Sequence, residues 1–422
     1  MPSQTLKDSA KLLSANVVAQ VVGFLFYPLL TRLYSAQDFG ILNLFLSIGG
    51  VLVLCATAEY QYAVMLPKAE KKAVSVFQVS ALIVLGVTLL CGISVFFRRS
   101  IASFFNAPEL AAFYPFMPLF VFFSAAWNLF NYWFTRHSRF GTVAAYQITR
   151  NLSNSLLKYG AGRAGWLRWG LLGSTLFGVF LPLVAAILPD KAVCKPLLRF
   201  NKSDVRQAAR RYVRFPLFSL PRALVNNVSC NLPIFMLTPF FGLKELGYFG
   251  MGHTLAYQPV SIMAASFCQV FYQKMSASVR ERKPILPFFR KVLVRGGLSV
   301  ALTFPVLYFV LPSLTVWLLG ADWETTGHYI RLMLPWLALT AISGCIAFIS
   351  DLFQRQASML VIETVYFALR AVALLVGILF GDFRLAILLY SLVSAFVILF
   401  QVCWFFGLVK RYERSITAQR RM

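Results

Sequence analysis

Negative charge is what this sequence has least of. Its 422 residues hold 15 Asp and Glu against 40 Lys and Arg, and charged residues of both signs make up only 13% of the chain. A water-solvated globular domain carries about 25%, so the shortage argues against a soluble fold and a soluble catalytic domain. Histidine occurs three times, at His137, His253 and His328, with no acid at a spacing that suggests acid–base chemistry. The seven cysteines (55, 91, 194, 230, 268, 345 and 403) show no paired spacing. That removes a disulfide framework or a thiolate metal site, and most of them read as small apolar residues inside spans. No small-residue cleavage motif follows the first apolar run, so no cleavable leader is expected.

What the chain has instead is apolar length. It is 59% hydrophobic and contains 41 Phe. Apolar runs of about 20 residues recur throughout, enough to cross a hydrocarbon core of about 30 Å. Backbone groups in lipid must be satisfied within the segment, so these runs are expected to be helices. The pattern predicts an all-α polytopic membrane protein of about twelve spans: 11–31, 41–63, 75–97, 112–134, 144–161, 166–188, 216–240, 248–271, 291–312, 329–350, 358–380 and 384–408. The span 144–161 is the most polar, containing Arg150, Asn151, Asn154 and Lys158.

The net charge of +25 does not point to nucleic acid, because the basic residues lie in the gaps between apolar runs and act as topology signals. One set of loops carries Lys68, Lys71, Lys72, Arg136, Arg139, the stretch from Lys191 to Arg214, Lys274, Arg280, Arg282, Lys283, Arg355 and the C-terminal basic residues. The opposite set carries only Arg32, Arg98, Arg99, Arg163, Arg168, Lys244 and Arg384. This bias places both termini in the cytoplasm of a bacterial inner-membrane protein and calls for an even span count. In the longest connection Arg206, Arg210 and Arg214 recur every four residues, as on one face of a basic interfacial helix. It reads either as a positive-inside anchor linking two halves or as a site for anionic lipid.

The two halves align without gaps over a short stretch. Leu30-Thr31 through Asp38-Phe39-Gly40 corresponds to Leu237-Thr238 through Glu245-Leu246-Gly247 at an offset of 207. Ser35 is a good N-cap for the second span, with Asp38 three residues on as in a capping box. In the second copy Gly242 and Glu245 take those places. Both acids therefore read as helix-start residues rather than ion sites. Six spans per half make the repeat parallel, as in transporters. The expected organisation is a six-helix lobe over 1–190, a basic linker over 191–215, a second six-helix lobe over 216–408 and a basic tail over 409–422.

Charge inside the bilayer costs about 2.5–3.5 kcal/mol or more per group, so such residues usually face water or a partner. Asn16, Gln20, Gly23 and Tyr27 share one face of the first span, and Arg222, Asn226, Ser229 and Pro233 repeat that spacing in the seventh. Gln20 falls on Asn227 under the 207 offset. These faces read as a shared lumen lining or, alternatively, as interhelical hydrogen-bonding surfaces. Arg150, Asn154 and Lys158 are spaced by four in the fifth span, and Glu363 and Arg370 share a face of the eleventh. Arg150, Lys158, Arg222 and Arg370 thus outnumber the intramembrane acids Glu59 and Glu363, which are the candidates for coupling ions. A cationic lining suits an anionic substrate, and arginine in particular suits phosphate. Pro28, Pro216, Pro221, Pro233 and Pro239 interrupt the first and seventh spans, where alternating access requires bending.

The stretch Thr31–Gly40 resembles the opening of polysaccharide flippases of the Wzx type, within the multidrug/oligosaccharidyl-lipid/polysaccharide (MOP) exporter superfamily. So do Phe215-Pro216-Leu217 to Pro221-Arg222, Leu232-Pro233-Ile234, Gly247-Tyr248-Phe249 and Pro259. The resemblance implies two six-helix lobes and a central cationic cavity. It also implies translocation of undecaprenyl-pyrophosphate-linked oligosaccharide to the periplasmic leaflet for O-antigen, capsule or exopolysaccharide. By position Arg222 matches the basic residue that such cavities present in the seventh span. No cofactor or covalent step is implied; a polysaccharide polymerase and a chain-length regulator are the expected protein partners. Other readings stay in view. A cation-coupled drug exporter typically uses an acid in the first span, and residues 12–31 have none. A lipid II flippase typically has two further helices. A membrane polymerase or acyltransferase would be expected to show a larger external loop.

Overall fold

The structure, a computed structural model, describes residues 20–421 apart from 22 and 199. Among the described residues every regular element is helical. The principal helices are α1 (described over 23–30), α2 (Ala36–Thr57), α3 (Glu70–Ser94), α4 (Met117–Arg136), α5 (Phe140–Arg163) and α6 (Leu167–Ile187). They continue with α7 (Lys202–Arg211), α8 (Leu220–Cys230), α9 (Leu232–Arg280), α10 (Leu286–Leu319), α11 (Glu324–Ser343), α12 (Gln356–Leu379) and α13 (Phe383–Arg421). Every expected span from 41–63 onward is mostly helical, with 41–63, 216–240 and 329–350 each broken within the span; most of 11–31, including Asn16, lies outside the described residues. Seven described stretches are long and apolar enough to cross a membrane, and the bent pair Phe215–Cys230 and Leu232–Arg280 would make one more. The chain is a multi-pass membrane protein. It divides into two compact units, Met1–Gly247 and Tyr248–Met422.

Helix ends follow local chemistry. Ser35 caps α2: its side chain accepts from the Asp38 amide at 3.3 Å while its own amide donates to Asp38 Oδ2 at 3.0 Å. This reciprocal box satisfies two amides that the helix itself leaves open. Asp38 also accepts from Arg168 Nε at 2.8 Å at the start of α6. In the second copy Gly242 interrupts α9 at φ 80° and ψ 176°, a conformation open to glycine because it has no Cβ. The expected span 41–63 is broken at its far end. Ala58 and Glu59 are both left-handed, at φ 46° and 62°, and a one-turn helix Tyr60–Ala63 follows. Consecutive left-handed non-glycine residues cannot continue a right-handed helix.

The basic linker is held against the first unit. Val205 and Ala208 of α7 are buried against Ala73, Val76 and Phe77 of α3. Three side chains reach its backbone: Trp133 Nε1 donates to Val193 O at 3.0 Å, Gln78 Nε2 to Leu197 O at 2.9 Å and the Tyr60 hydroxyl to Ala209 O at 3.0 Å. Arg206, Arg210 and Arg214 are exposed, away from that packed face.

The repeat has a physical core. Gly40 and Gly247, equivalent under the 207 offset, are both buried. A Cβ on Gly40 would overlap the carbonyl oxygen of Leu243, and one on Gly247 would overlap that of Ala36. Ala36 and Leu243 are themselves equivalent under the same offset. Two corresponding helix starts therefore cross with each glycine lying on the other's backbone, a distance that no side chain permits. Gly40→Val or Gly247→Val should each destabilise the detergent-solubilised protein by about 1–3 kcal/mol through overpacking. Gly86→Ala, in a helix interior with no atom near its Cβ position, should raise the thermal midpoint, by up to about 1 kcal/mol. Thermal unfolding monitored by size exclusion checks both.

Candidate functional site

The first unit gathers most of the expected site residues. Arg222 is exposed on the first turn of α8. That helix is preceded by a π-helical turn at Phe215–Ser219 containing Pro216, whose missing amide cannot complete an α-helical ladder. Arg222 lies within electrostatic reach of Glu59, which is buried and hydrogen-bonded to the Gln61 side chain. The left-handed pair at Ala58–Glu59 turns the chain there, so one acid and one guanidinium from distant parts of the sequence face each other.

Along α8 the two asparagines separate in role. Asn226 is exposed, whereas Asn227 is half-buried and accepts from Asn231 Nδ2 at its carbonyl oxygen (2.9 Å) and at its side-chain oxygen (3.3 Å). Asn231 in turn accepts from Ser47 Oγ of α2 at 2.8 Å. This chain ties α8 to α2 in the manner of interhelical polar contacts in bilayers. Of the two readings of the amide face, interhelical hydrogen bonding is the one seen at Asn227 and Asn231. Gln20 is helical and exposed; Asn16 is outside the described residues.

Arg150, Asn154 and Lys158 do share one side of α5, as their spacing requires. Arg150 and Lys158 are half-buried and within electrostatic reach of each other. Between them Asn154 packs beside Gly178 of α6, and its Oδ1 is buried with no hydrogen-bond partner among the described residues. The Lys158 carbonyl accepts from the Tyr34 hydroxyl at 2.6 Å, which fixes α5 to the α1–α2 turn. Eight residues apart, the two cations are separated by about 12 Å of helix rise.

Arg370 is a correction to the expected lining. It is buried in the second unit at 5% exposure. Its guanidinium lies over the rings of Tyr366, Tyr390 and Trp336 at 3.8, 4.7 and 5.6 Å from their centroids, donates to Ser394 Oγ at 2.9 Å and also bonds the Tyr366 hydroxyl. Aromatic faces, rather than water, hold this cation, and arginine is suited to that because its plane stacks. The rings come from α11, α12 and α13, so their convergence on Arg370 could not be read from residue spacing within one span. Glu363 is half-buried two turns earlier on α12. His253, Tyr257 and Trp336 stack on one another as a cluster of three rings, with centroids 4.9 to 5.7 Å apart. Sequence reasoning also missed Arg168 and Glu109 as partners at the α2 start. Gln37 Nε2 donates to Glu109 at 2.7 Å, and Arg168 lies 3.9 Å from the same oxygen.

With this geometry in view, the fold finds its class. The lipid II flippase MurJ in an inward closed conformation superposes with a TM-score of 0.72 at 14% identity, covering 96% of this chain and 92% of that one. An inward-facing multidrug resistance MATE family transporter of the MOP superfamily superposes at 0.70 and 13%, covering 95% and 99%. A MOP superfamily transporter from Pyrococcus furiosus follows at 0.57 and 14%, covering 96% of each. The fold is that of the MOP superfamily. The chain belongs to the polysaccharide biosynthesis protein family, whose model matches residues 29–327. Among curated proteins, none matches the chain. The resemblance read from Thr31–Gly40 and from Phe215 onward holds at the level of family and fold.

The contrast between the two arginines is measurable. Arg370→Lys loses the stacked plane and should lower stability by about 1–2 kcal/mol. Arg222→Lys, at an exposed position, should stay within about 0.5 kcal/mol of the parent. Thermal midpoints of the purified proteins check this.

Proposed function

We propose that the chain is a flippase for undecaprenyl-pyrophosphate-linked oligosaccharide repeat units of a surface polysaccharide such as O-antigen, capsule or exopolysaccharide. It carries them from the cytoplasmic to the periplasmic leaflet of the bacterial inner membrane by alternating access. Twelve spans in two six-helix repeats, with both termini cytoplasmic, complete the reading. The observation that carries it is the first unit's surplus of intramembrane cations. Arg222, Arg150 and Lys158 stand against Glu59, and none of the three is enclosed by aromatic rings as Arg370 is. A diphosphate supplies the charge such a lining lacks, and guanidinium binds it bidentately.

In this mechanism Arg222 takes the diphosphate first, and Arg150 and Lys158 hold it in turn. Asn226 and Gln20 offer amides to the sugars, with Asn16 expected on the same face; Asn227 orients α8 through Asn231. No bond is made or broken, so the chain needs no nucleophile or cofactor. Glu59 supports a coupling role because it is buried beside Arg222: a protonated Glu59 leaves Arg222 free for substrate, and an ionised one competes for it. Membership of a polysaccharide biosynthesis family supports this reading over that of a drug exporter; the fold is shared with a lipid II flippase and a multidrug transporter alike.

The test is complementation of a deletion strain, scored by surface polysaccharide. Arg222→Glu should abolish rescue, a drop of at least about 100-fold in product from losing and reversing a charge-assisted contact worth about 3 kcal/mol, while protein level in the membrane is maintained. Rescue by Arg222→Glu would remove this function. Orientation has its own measurement: a C-terminal fluorescent-protein fusion should be bright and a C-terminal alkaline phosphatase fusion inactive.

A further inference from the structure

A trench runs between α5 and α6, with a volume of about 540 Å³, within the range of small-molecule sites. Its walls are Leu156, Leu157, Trp166, Trp169 and Phe177, of which Leu156, Trp166, Trp169 and Phe177 are half or more exposed. The glycines of these two helices fall into two kinds. Gly170 and Gly178 are packing glycines: a Cβ would come within 2.5 Å of Ala161 Cβ and 2.9 Å of Asn154 Cβ respectively. Gly160 and Gly173 line the trench, and a Cβ on either would meet no atom within 4 Å. Glycine is the poorest helix former after proline. No contact among the described residues requires it at 160 or 173; its effect there is to keep the trench open.

We infer that this trench seats the phosphate-proximal isoprenoid chain of the lipid-linked substrate. The inference rests on the function proposed above and names where that substrate's hydrocarbon goes. Hydrocarbon is the chemistry that a trench of Leu, Trp and Phe accepts inside a bilayer. Charge complementarity selects which hydrocarbon. The helix that forms one wall, α5, also carries Arg150 and Lys158, outside the trench lining, so a molecule joining a diphosphate to a branched chain engages both features of one helix. A bulk phospholipid acyl chain would use the trench without needing the cations. The glycine-lined floor leaves room for the methyl branches of an isoprenoid.

The experiment uses the full-length protein in nanodiscs of phosphatidylethanolamine and phosphatidylglycerol. A photoreactive diazirine is placed on the first isoprene units of undecaprenyl diphosphate, and a diazirine-bearing phosphatidylcholine serves as the comparison probe. Cross-linked peptides are mapped with and without unlabelled undecaprenyl diphosphate. The prenyl probe should label residues within 156–177 and be displaced by competitor. Gly160→Leu with Gly173→Leu, whose new side chains enter open space, should keep or raise the parent's thermal midpoint and lower trench labelling about tenfold or more, the discrimination that filling a hydrophobic pocket gives. Gly160→Ala alone should label like the parent.

Displaceable labelling elsewhere on the chain but not in 156–177, or unchanged labelling in the double-leucine variant, overturns the trench and leaves the flippase reading standing. Equal labelling by phosphatidylcholine with no competition in the trench assigns it to bulk lipid and overturns the inference. Absence of displaceable prenyl labelling anywhere on the chain, together with rescue of the deletion strain by Arg222→Glu, overturns the flippase reading itself. A double-leucine variant that loses its thermal midpoint counts against the open-space argument.

Discussion

In hydrocarbon a polar group persists only beside a partner or beside water, and the rest of this structure depends on how that constraint is met. The backbone meets it by taking helical form in every regular element among the described residues. The charged side chains meet it in different ways. Arg370 is surrounded by aromatic faces and hydroxyls, Asp38 is absorbed into a helix start and an arginine pair, and Glu59 is buried within reach of Arg222. Arg150 and Lys158 are left facing each other's charge. That unequal treatment separates Arg370, held by rings and hydroxyls, from Arg150 and Lys158, which are half-buried on α5.

Backbone proximity is the second theme. The crossing of Ala36–Gly40 with Leu243–Gly247 works only because two equivalent positions lack side chains. The same residue type does the opposite at Gly160 and Gly173, where it leaves space instead of closing it. A glycine inside an apolar helix is therefore uninformative until its neighbours are known. Likewise the linker, a row of basic residues in sequence, is a docked element whose apolar side is fixed by Val205 and Ala208 and whose backbone is bonded by Trp133, Gln78 and Tyr60.

Much was legible from sequence because it rests on local or one-dimensional signals. Apolar run length gave the helices from 41–63 onward, since crossing a bilayer demands about 20 apolar residues. The Ser35–Asp38 box and the break at Gly242 follow from residues within four positions of each other. The 207-residue correspondence marked the turn where the two copies meet. The shared side of Arg150, Asn154 and Lys158 follows from helical periodicity alone.

Sequence by itself therefore determined the class of molecule, the places where helices start, and the surplus of cations within them, because each depends on composition and spacing along one chain. Tertiary structure alone decided which of those cations is free. Arg370 is sequestered because rings from α11, α12 and α13 converge on it. Asn227 is occupied because Ser47 reaches Asn231 from α2. Arg222 faces Glu59 because two left-handed residues turn the chain after Thr57. Partnership in a low-dielectric interior is a matter of a few ångströms between segments far apart in sequence, and no periodicity along the chain encodes that distance.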